Sequence, residues 1–349
     1  MSPVDGEDIA PAQQKENRSA WKRWQIVLSI VLLGLLLYFF WPLLGEIKAA
    51  ANLFRTAEWI WLLVAVLVQV VSYGFLTWLN ALALQPFAGE IGFVTLAGVL
   101  TSMAFISVAI PSAGLSGVAL RVHLLRKYGY LPEESLFSLV IESSLELIAL
   151  ATVAVAGIAY LIQSGGLSTL NVIGLVLLGI LVVVATWVVW RVLSDYERSR
   201  RVLEKSVNLW NRYGKRFATL DFGEFDQRLI FFNQNIRRYP RSSIFKFPLS
   251  AYGKVILDVV TLGVCFRMFG YPIHPATLLV GYGLILTLSG VSALPGGLVM
   301  TEAFIPVIFS RLGVPGPVAI AAGLTYRLIA FWLVRFVGYI TWLVLERKS

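Results

Sequence analysis

The chain has 349 residues, 58% of them hydrophobic and only 14% charged, with a formal net charge of +9. Soluble domains average about 25% charged and about 45–50% apolar residues, so this composition, at a mean hydropathy of +0.76, excludes a water-soluble core. Several charge-free runs exceed the roughly 20 residues that cross a bilayer.

In chain order, residues 1–20 are polar and read as a disordered N-terminal tail. Trp21, Lys22, Arg23 and Trp24 mark a membrane interface, and Gln25–Trp41 is a first span. Pro42 follows that run directly, with no small-residue cleavage motif, so the run reads as retained rather than as a signal peptide. Residues 43–57 form a short connector, and Trp59–Leu84 is a second, uncharged span. The next uncharged stretch breaks at Ile110-Pro111-Ser112-Ala113-Gly114, giving a span over about 91–110 and a short helix over about 115–128. That helix carries Arg121, His123, Arg126 and Lys127. Gly129 stops it and Pro132 restarts the chain into a span with Glu142 and Glu146. Residues 170–193 span again.

Residues 194–243 are the one long hydrophilic segment, rich in arginine. Leu203, Val207 and Trp210, then Leu229, Phe232 and Ile236, recur at helical spacing, so this basic loop reads as amphipathic helices on the membrane surface. A span over 244–268 contains Lys254 and Asp258 four residues apart. Then comes a span over about 276–292, broken by Leu294-Pro295-Gly296-Gly297. A short helix over about 299–312 carries Glu302, and the last span, over about 318–345, carries Arg327 and Arg335. In hydrocarbon, broken backbone is tolerated only where protein or a wet cavity satisfies it. Pro111, Gly114, Pro295, Gly296 and Gly297 therefore mark two re-entrant hairpins.

Setting Pro111 against Pro295 also sets Gly129 against Gly313, the same offset of 184 (295 − 111 and 313 − 129). The fold expected is all-α and polytopic, with about 7–8 transmembrane helices and two broken hairpins in a weak inverted repeat. Placing the basic 194–243 loop in the cytoplasm puts both termini and the Arg126-Lys127 turn there too. The outer loops then keep only Lys48, Arg55, Arg267 and Arg311.

A charge at mid-membrane costs about 2.5–3.5 kcal/mol on insertion scales and marks a functional candidate. Arg121, Glu142, Glu302 and Arg327 are the candidate substrate residues. Arg121 follows a break where a helix N-terminus already favours anions, and can grip a phosphate bidentately or simply snorkel to the interface. Glu302 and Arg327 can pair with each other, as a structural bond or as a translocation site. No GxxxxGK[ST] loop is present, and two histidines with one cysteine exclude the usual zinc sites, so neither a cofactor nor a metal is expected. The basic excess sits in loops, which fits anionic lipid rather than nucleic acid.

Together, Pro111-x-x-Gly114 with Arg121, Leu294-Pro295-Gly296-Gly297 with Glu302, Leu312-Gly313-Val314 and Leu324-Thr325-Tyr326-Arg327 resemble the lysylphosphatidylglycerol synthase transmembrane region. That group is also described as flippase-like (UPF0104), and the resemblance covers roughly residues 25–345. It implies an inner-membrane protein that moves a lipid between leaflets, within a flippase-like domain over 21–349. In full-length members an aminoacyl-transferase domain follows; here the sequence stops at Ser349, so synthase activity is not carried over. Leu298-Val299-Met300-Thr301 departs from the glycine-valine expected before the glutamate. Related stand-alone members are associated with hopanoid and polyprenyl-linked lipids, leaving the substrate open. The rival reading is a non-transporting subunit that binds lipid, or a lipid-biosynthesis enzyme, through the basic loop.

Overall fold

The computed structural model describes residues 48–110, 112, 114–163, 200–201, 204–205, 207, 230–231, 233–236, 238–290 and 300–347. The first expected span, the span over 170–193, most of the basic loop, and the breaks at Pro111, Pro295, Gly296 and Gly297 lie outside the described residues. What is described is helical throughout. We number the helices α1 (Ile60–Leu84), α2 (Phe93–Ala109), α3 (Leu115–Arg126), α4 (Pro132–Gln163), α5 (Ser243–Met268), α6 (Pro275–Gly290), α7 (Met300–Arg311), α8 (Gly316–Arg327) and α9 (Val334–Arg347). One π-helical segment, Leu328–Leu333, joins α8 to α9 without a break. Among the described residues four stretches are long and apolar enough to cross a membrane: α1, Pro132–Gly157, Phe245–Met268 and the continuous Gly316–Arg347.

The helix boundaries repeat. An offset of 184 carries Pro132 to Gly316, Gln163 to Arg347 and Leu84 to Met268, and carries Ile60 to within one residue of Ser243. It also carries Gly129, at φ 85°, onto Gly313, at φ 88°. Both glycines end a short helix in left-handed backbone, a conformation that costs other residues roughly 1–2 kcal/mol. The numbered helices thus fall into two copies of one unit: a long helix, a helical hairpin, a left-handed stop and a very long helix.

Contacts between the copies show that they are inverted. Glu58 N–H donates to Met268 O at 3.0 Å, Ser72 Oγ to Lys254 O at 3.2 Å, and Tyr239 OH to Ala83 O at 2.6 Å. Numbers rise on α1 as they fall on α5, so these equivalent helices run antiparallel. Each hairpin folds back on itself. In the first, Ser116 Oγ donates to Ile106 O at 3.1 Å, and Glu90 N–H donates to Tyr128 O at 3.1 Å across its two feet. The chain therefore leaves this hairpin on the side where it entered. In the second, Gly281 of α6 lies against the ring of Phe309 in α7.

The halves also interlock. Helix α2 packs on α9, the last helix of the other half, with Thr101 Oγ1 3.1 Å from Thr341 Oγ1 and Gly98 against Leu345 and Thr341. The symmetry-equivalent contact sets α6 on α4, with Gly157 against Leu279 and Val280 and Gly283 against Ala154. Without a hydrophobic drive between helices in lipid, small residues that let backbones approach closely are what hold such contacts. The largest apolar core joins α1, α4, α5, α6, α7 and α8 around Phe266, Phe309 and Leu262. The flanks of α1 (Ile60, Leu63, Leu67, Val70) and α9 (Phe336, Val337, Ile340) are exposed, as lipid-facing surfaces must be.

Candidate functional site

Ionisable residues that stand out in the sequence converge inside this bundle. Arg121 is 0% exposed. Its Nη1 donates to Glu142 Oε2 at 2.6 Å, and its Nη2 donates to Asn80 Oδ1 and, at 2.8 Å, to Ser138 Oγ. Both neutral partners are aimed by local bonds. The Asn80 amide donates to Leu76 O, turning its oxygen toward the arginine, and the Ser138 hydroxyl donates to Ser135 O. Arg121 thus sits between α1, α3 and α4, with both terminal nitrogens engaged inside the protein. Its Nε is also buried and has no acceptor among the described residues.

Glu302 and Arg327 do pair. Arg327 Nε donates to Glu302 Oε1 at 2.7 Å, tying α7 to α8. Glu302 lies in the first turn of α7, where the helix N-terminus favours a negative charge. Each half therefore fastens its hairpin's return helix to the long helix that follows by one buried ion pair. The polarity is reversed. The cation is on the hairpin in the first half and on the long helix in the second.

Between these pairs lies a third centre. Lys254 Nζ is 3.3 Å from Glu146 Oε1 and 3.2 Å from Asp258 Oδ2. Asp258, 6% exposed, accepts from Gln69 at 3.1 Å, from Ser72, and from Tyr282 OH at 3.1 Å. Tyr326 packs edge-on to Tyr282 with ring centroids 6.5 Å apart, and it adjoins Arg327. Glu146 lies one turn beyond Glu142 on α4. At about 1.5 Å per residue, Glu142 sits roughly 15 Å along α4, Asp258 roughly 22 Å along α5 and Arg327 roughly 16 Å along α8 from the opposite side. The three centres form a polar belt through the bundle. Among the described residues its cations (Arg121, Lys254, Arg327, Arg335) and anions (Glu142, Glu146, Asp258, Glu302) are four against four. That balance is what makes so much buried charge tolerable.

The comparisons with known proteins fit this architecture. The family model described as "Lysylphosphatidylglycerol synthase TM region" matches residues 26–338. The chain belongs to that family. Membership accounts for the membrane location. One relative of this lysylphosphatidylglycerol synthase TM-region protein is a "UPF0104 membrane protein" of Methanothermobacter thermautotrophicus (strain Delta H). It is 25% identical over 323 residues, covering 90% of this chain and 92% of the relative.

Sequence reading missed Asn80, Ser138, Gln69, Ser72, Tyr282 and Tyr326 as members of the belt. A signal existed on α1: Gln69 and Asn80 are eleven residues apart, about three helical turns, so both fall on one face of an otherwise apolar span. Gly114, at φ 88°, caps the start of α3 as the hairpin break requires. His123 lies at the exposed end of α3, 3.7 Å from Glu346. Lys127 reaches the same carboxylate at 3.1 Å, so this turn is stapled to the end of α9. Among the described residues no group of three His, Cys, Asp or Glu could hold a metal.

Proposed function

We propose that the protein is an integral inner-membrane lipid translocase that moves a polar-headed lipid between leaflets. The observation that carries this reading is the charge-balanced belt at the seam of two inverted, interlocked halves, each with its own re-entrant hairpin. Transporters built from inverted repeats place substrate at such seams, where broken helices meet. A lipid fits better than a free solute. The flanks of α1 and α9 face the acyl phase, so tails can stay in lipid while only the headgroup needs the belt. Family membership supports a lipid-related role. In this reading the hairpin ends bearing Arg126 and Lys127 face the cytoplasm, with Arg238, Arg241 and Arg347 on the same side. Glu302 and Arg327 take part in the headgroup path, and Arg121 with Glu142 locks the opposite hairpin.

The test is a leaflet assay on purified protein in vesicles carrying labelled phospholipid, with Glu302→Gln and Arg327→Ala beside the wild type. Both variants are expected to fold and to lose most of the translocation rate. Wild-type rates in both would refute the site. A rival reading, a lipid- or enzyme-binding subunit, is favoured by the exposed Arg200, Arg201 and Lys205 of the basic loop. It requires the opposite result: neutralising the loop arginines abolishes function while the hairpin variants leave it intact.

A further inference from the structure

Arg335 is the belt member whose charge no carboxylate answers at ion-pair distance among the described residues. Phe331 and Trp332 straddle the middle of the 32-residue stretch Gly316–Arg347, so Arg335 lies about 5 Å from the centre of a membrane-crossing helix. Its guanidinium rests over the Phe331 ring, 3.5 Å from the centroid, and its Nη1 donates to Phe331 O at 3.1 Å. Its buried Nε has no hydrogen-bond partner. Arg327 approaches the same ring, 3.8 Å from the centroid. Only 9% of the Arg327 side chain is exposed, and its Nη2 is also buried without a partner. Glu302 uses one oxygen on Arg327 and leaves Oε2 unpaired.

Two guanidiniums thus share one aromatic ring, with one carboxylate between them and two donors unspent. The π-helical segment Leu328–Leu333 runs between them. In a regular α-helix residues eight apart point roughly 80° away from each other. The wider π turn returns Arg335 toward the Arg327 face, and such turns concentrate at functional sites. Planar guanidiniums are the side chains best matched to phosphate oxygens. The remaining negative charge of the belt lies in the Glu146–Lys254–Asp258 centre, on other helices.

We propose that Arg327 and Arg335, braced on Phe331, form a binding site for a phosphate group at mid-membrane depth, with Glu302 competing for Arg327. This rests on the proposed lipid role only for the ligand's source. The shared chemistry, a pair of anionic phosphate oxygens, is the same for a phospholipid headgroup and for free phosphate.

Thermal unfolding of the full-length protein in neutral detergent tests it, with dihexanoylphosphatidylglycerol, dihexanoylglycerol or inorganic phosphate added. The phospholipid is expected to raise the unfolding temperature in a saturable way, and dihexanoylglycerol, which lacks phosphate, to do nothing. A shift with inorganic phosphate alone would support the site and identify the free ion as its ligand. Arg335→Gln should weaken phosphate-dependent binding roughly 10- to 100-fold, the value of one charged hydrogen bond. Should that variant fail to fold, Arg335→Lys keeps the charge but not the planar donors, and weakening is again expected. Glu302→Gln should strengthen binding by freeing Arg327, an effect no purely structural role produces. Equal shifts from dihexanoylglycerol, or unchanged affinity in all three variants, would overturn the site. Failure of translocation in vesicles would leave these binding results standing, and their failure would leave a positive leaflet assay standing.

Discussion

Removing Glu142 is the sharpest probe of how the first hairpin is held. Arg121 is 0% exposed and the carboxylate 2.6 Å away is its one charged partner among the described residues. Glu142→Ala therefore leaves a guanidinium sealed in the bundle with only Asn80 and Ser138 to face it. Breaking a buried pair in this way costs about 3–5 kcal/mol, because the orphaned charge cannot rehydrate. Arg121→Met should cost less, about 1–3 kcal/mol: Glu142 is 12% exposed, so its carboxyl can reach water or take up a proton. The double variant Arg121→Met/Glu142→Leu leaves no charge behind and should recover to within about 1 kcal/mol of the wild type. Equilibrium unfolding in mixed micelles, by titration with a denaturing detergent, measures all three variants on one scale. If Glu142→Ala unfolds within about 0.5 kcal/mol of wild type, the pair does not hold the hairpin and the reasoning fails.

Gly129→Ala and Gly313→Ala should each destabilise by about 1–2 kcal/mol, because both glycines sit at φ near +85° to +88°. Near-equal losses would follow from the repeat, and an unaffected Gly313→Ala would argue against equivalent stops. Gly338→Val drives a side chain into the backbone of Thr101, and Gly157→Val drives one into Val280. Both should separate the interlocked halves, which a cysteine cross-link between α2 and α9 would report as lost yield. Tyr239 donates to Ala83 O at 2.6 Å outside the spans, and burial pushes its phenol above the ordinary 10.0. A raised folded value means that its contribution is complete below pH 10.0 and is lost only as pH climbs beyond it. Tyr239→Phe should cost about 1 kcal/mol at neutral pH and flatten the alkaline fall in stability.

Much of the frame was legible before any coordinates. Pro132 and Gly129 punctuate an apolar run so strongly that the hairpin's exit could be placed within two residues. Charged residues inside such runs are expensive, so Arg121, Glu142, Glu302 and Arg327 announced themselves, and the pairing of the last two followed from that cost. Neutral partners gave no such warning. Asn80 and Ser138 look like ordinary helix residues, and only the meeting of α1, α3 and α4 shows that they enclose Arg121. The π segment was invisible for another reason. Leu328–Leu333 has the composition of any apolar helix, and nothing in that composition marks a widened turn. The interlock of α2 with α9 is a long-range contact no local pattern encodes.

The two halves share a fold but differ in chemistry, and that difference bears on mechanism. The 184-residue offset carries Arg121 to Ile305 and Glu142 to Tyr326, and carries Glu302 and Arg327 back to Val118 and Ser143. Neither ion pair is thus the image of the other; each was placed on a common scaffold at its own position. The consequence is visible in the hydrogen bonds. Both terminal nitrogens of Arg121 are engaged and its Nε is left over, whereas around Arg327 two donors, Arg327 Nη2 and Arg335 Nε, and one acceptor, Glu302 Oε2, are buried without partners among the described residues. A ligand shifts an equilibrium between two arrangements only by binding one better than the other. A perfectly symmetric carrier would offer the headgroup the same satisfied contacts from either side. Here the first half leaves one guanidinium donor unpaired, while Arg327 and Arg335 on the long helix of the second half leave two. Under the proposed translocation the two sides of the belt therefore offer the headgroup unequal contacts, with more unpaired donors beside Arg327 than beside Arg121.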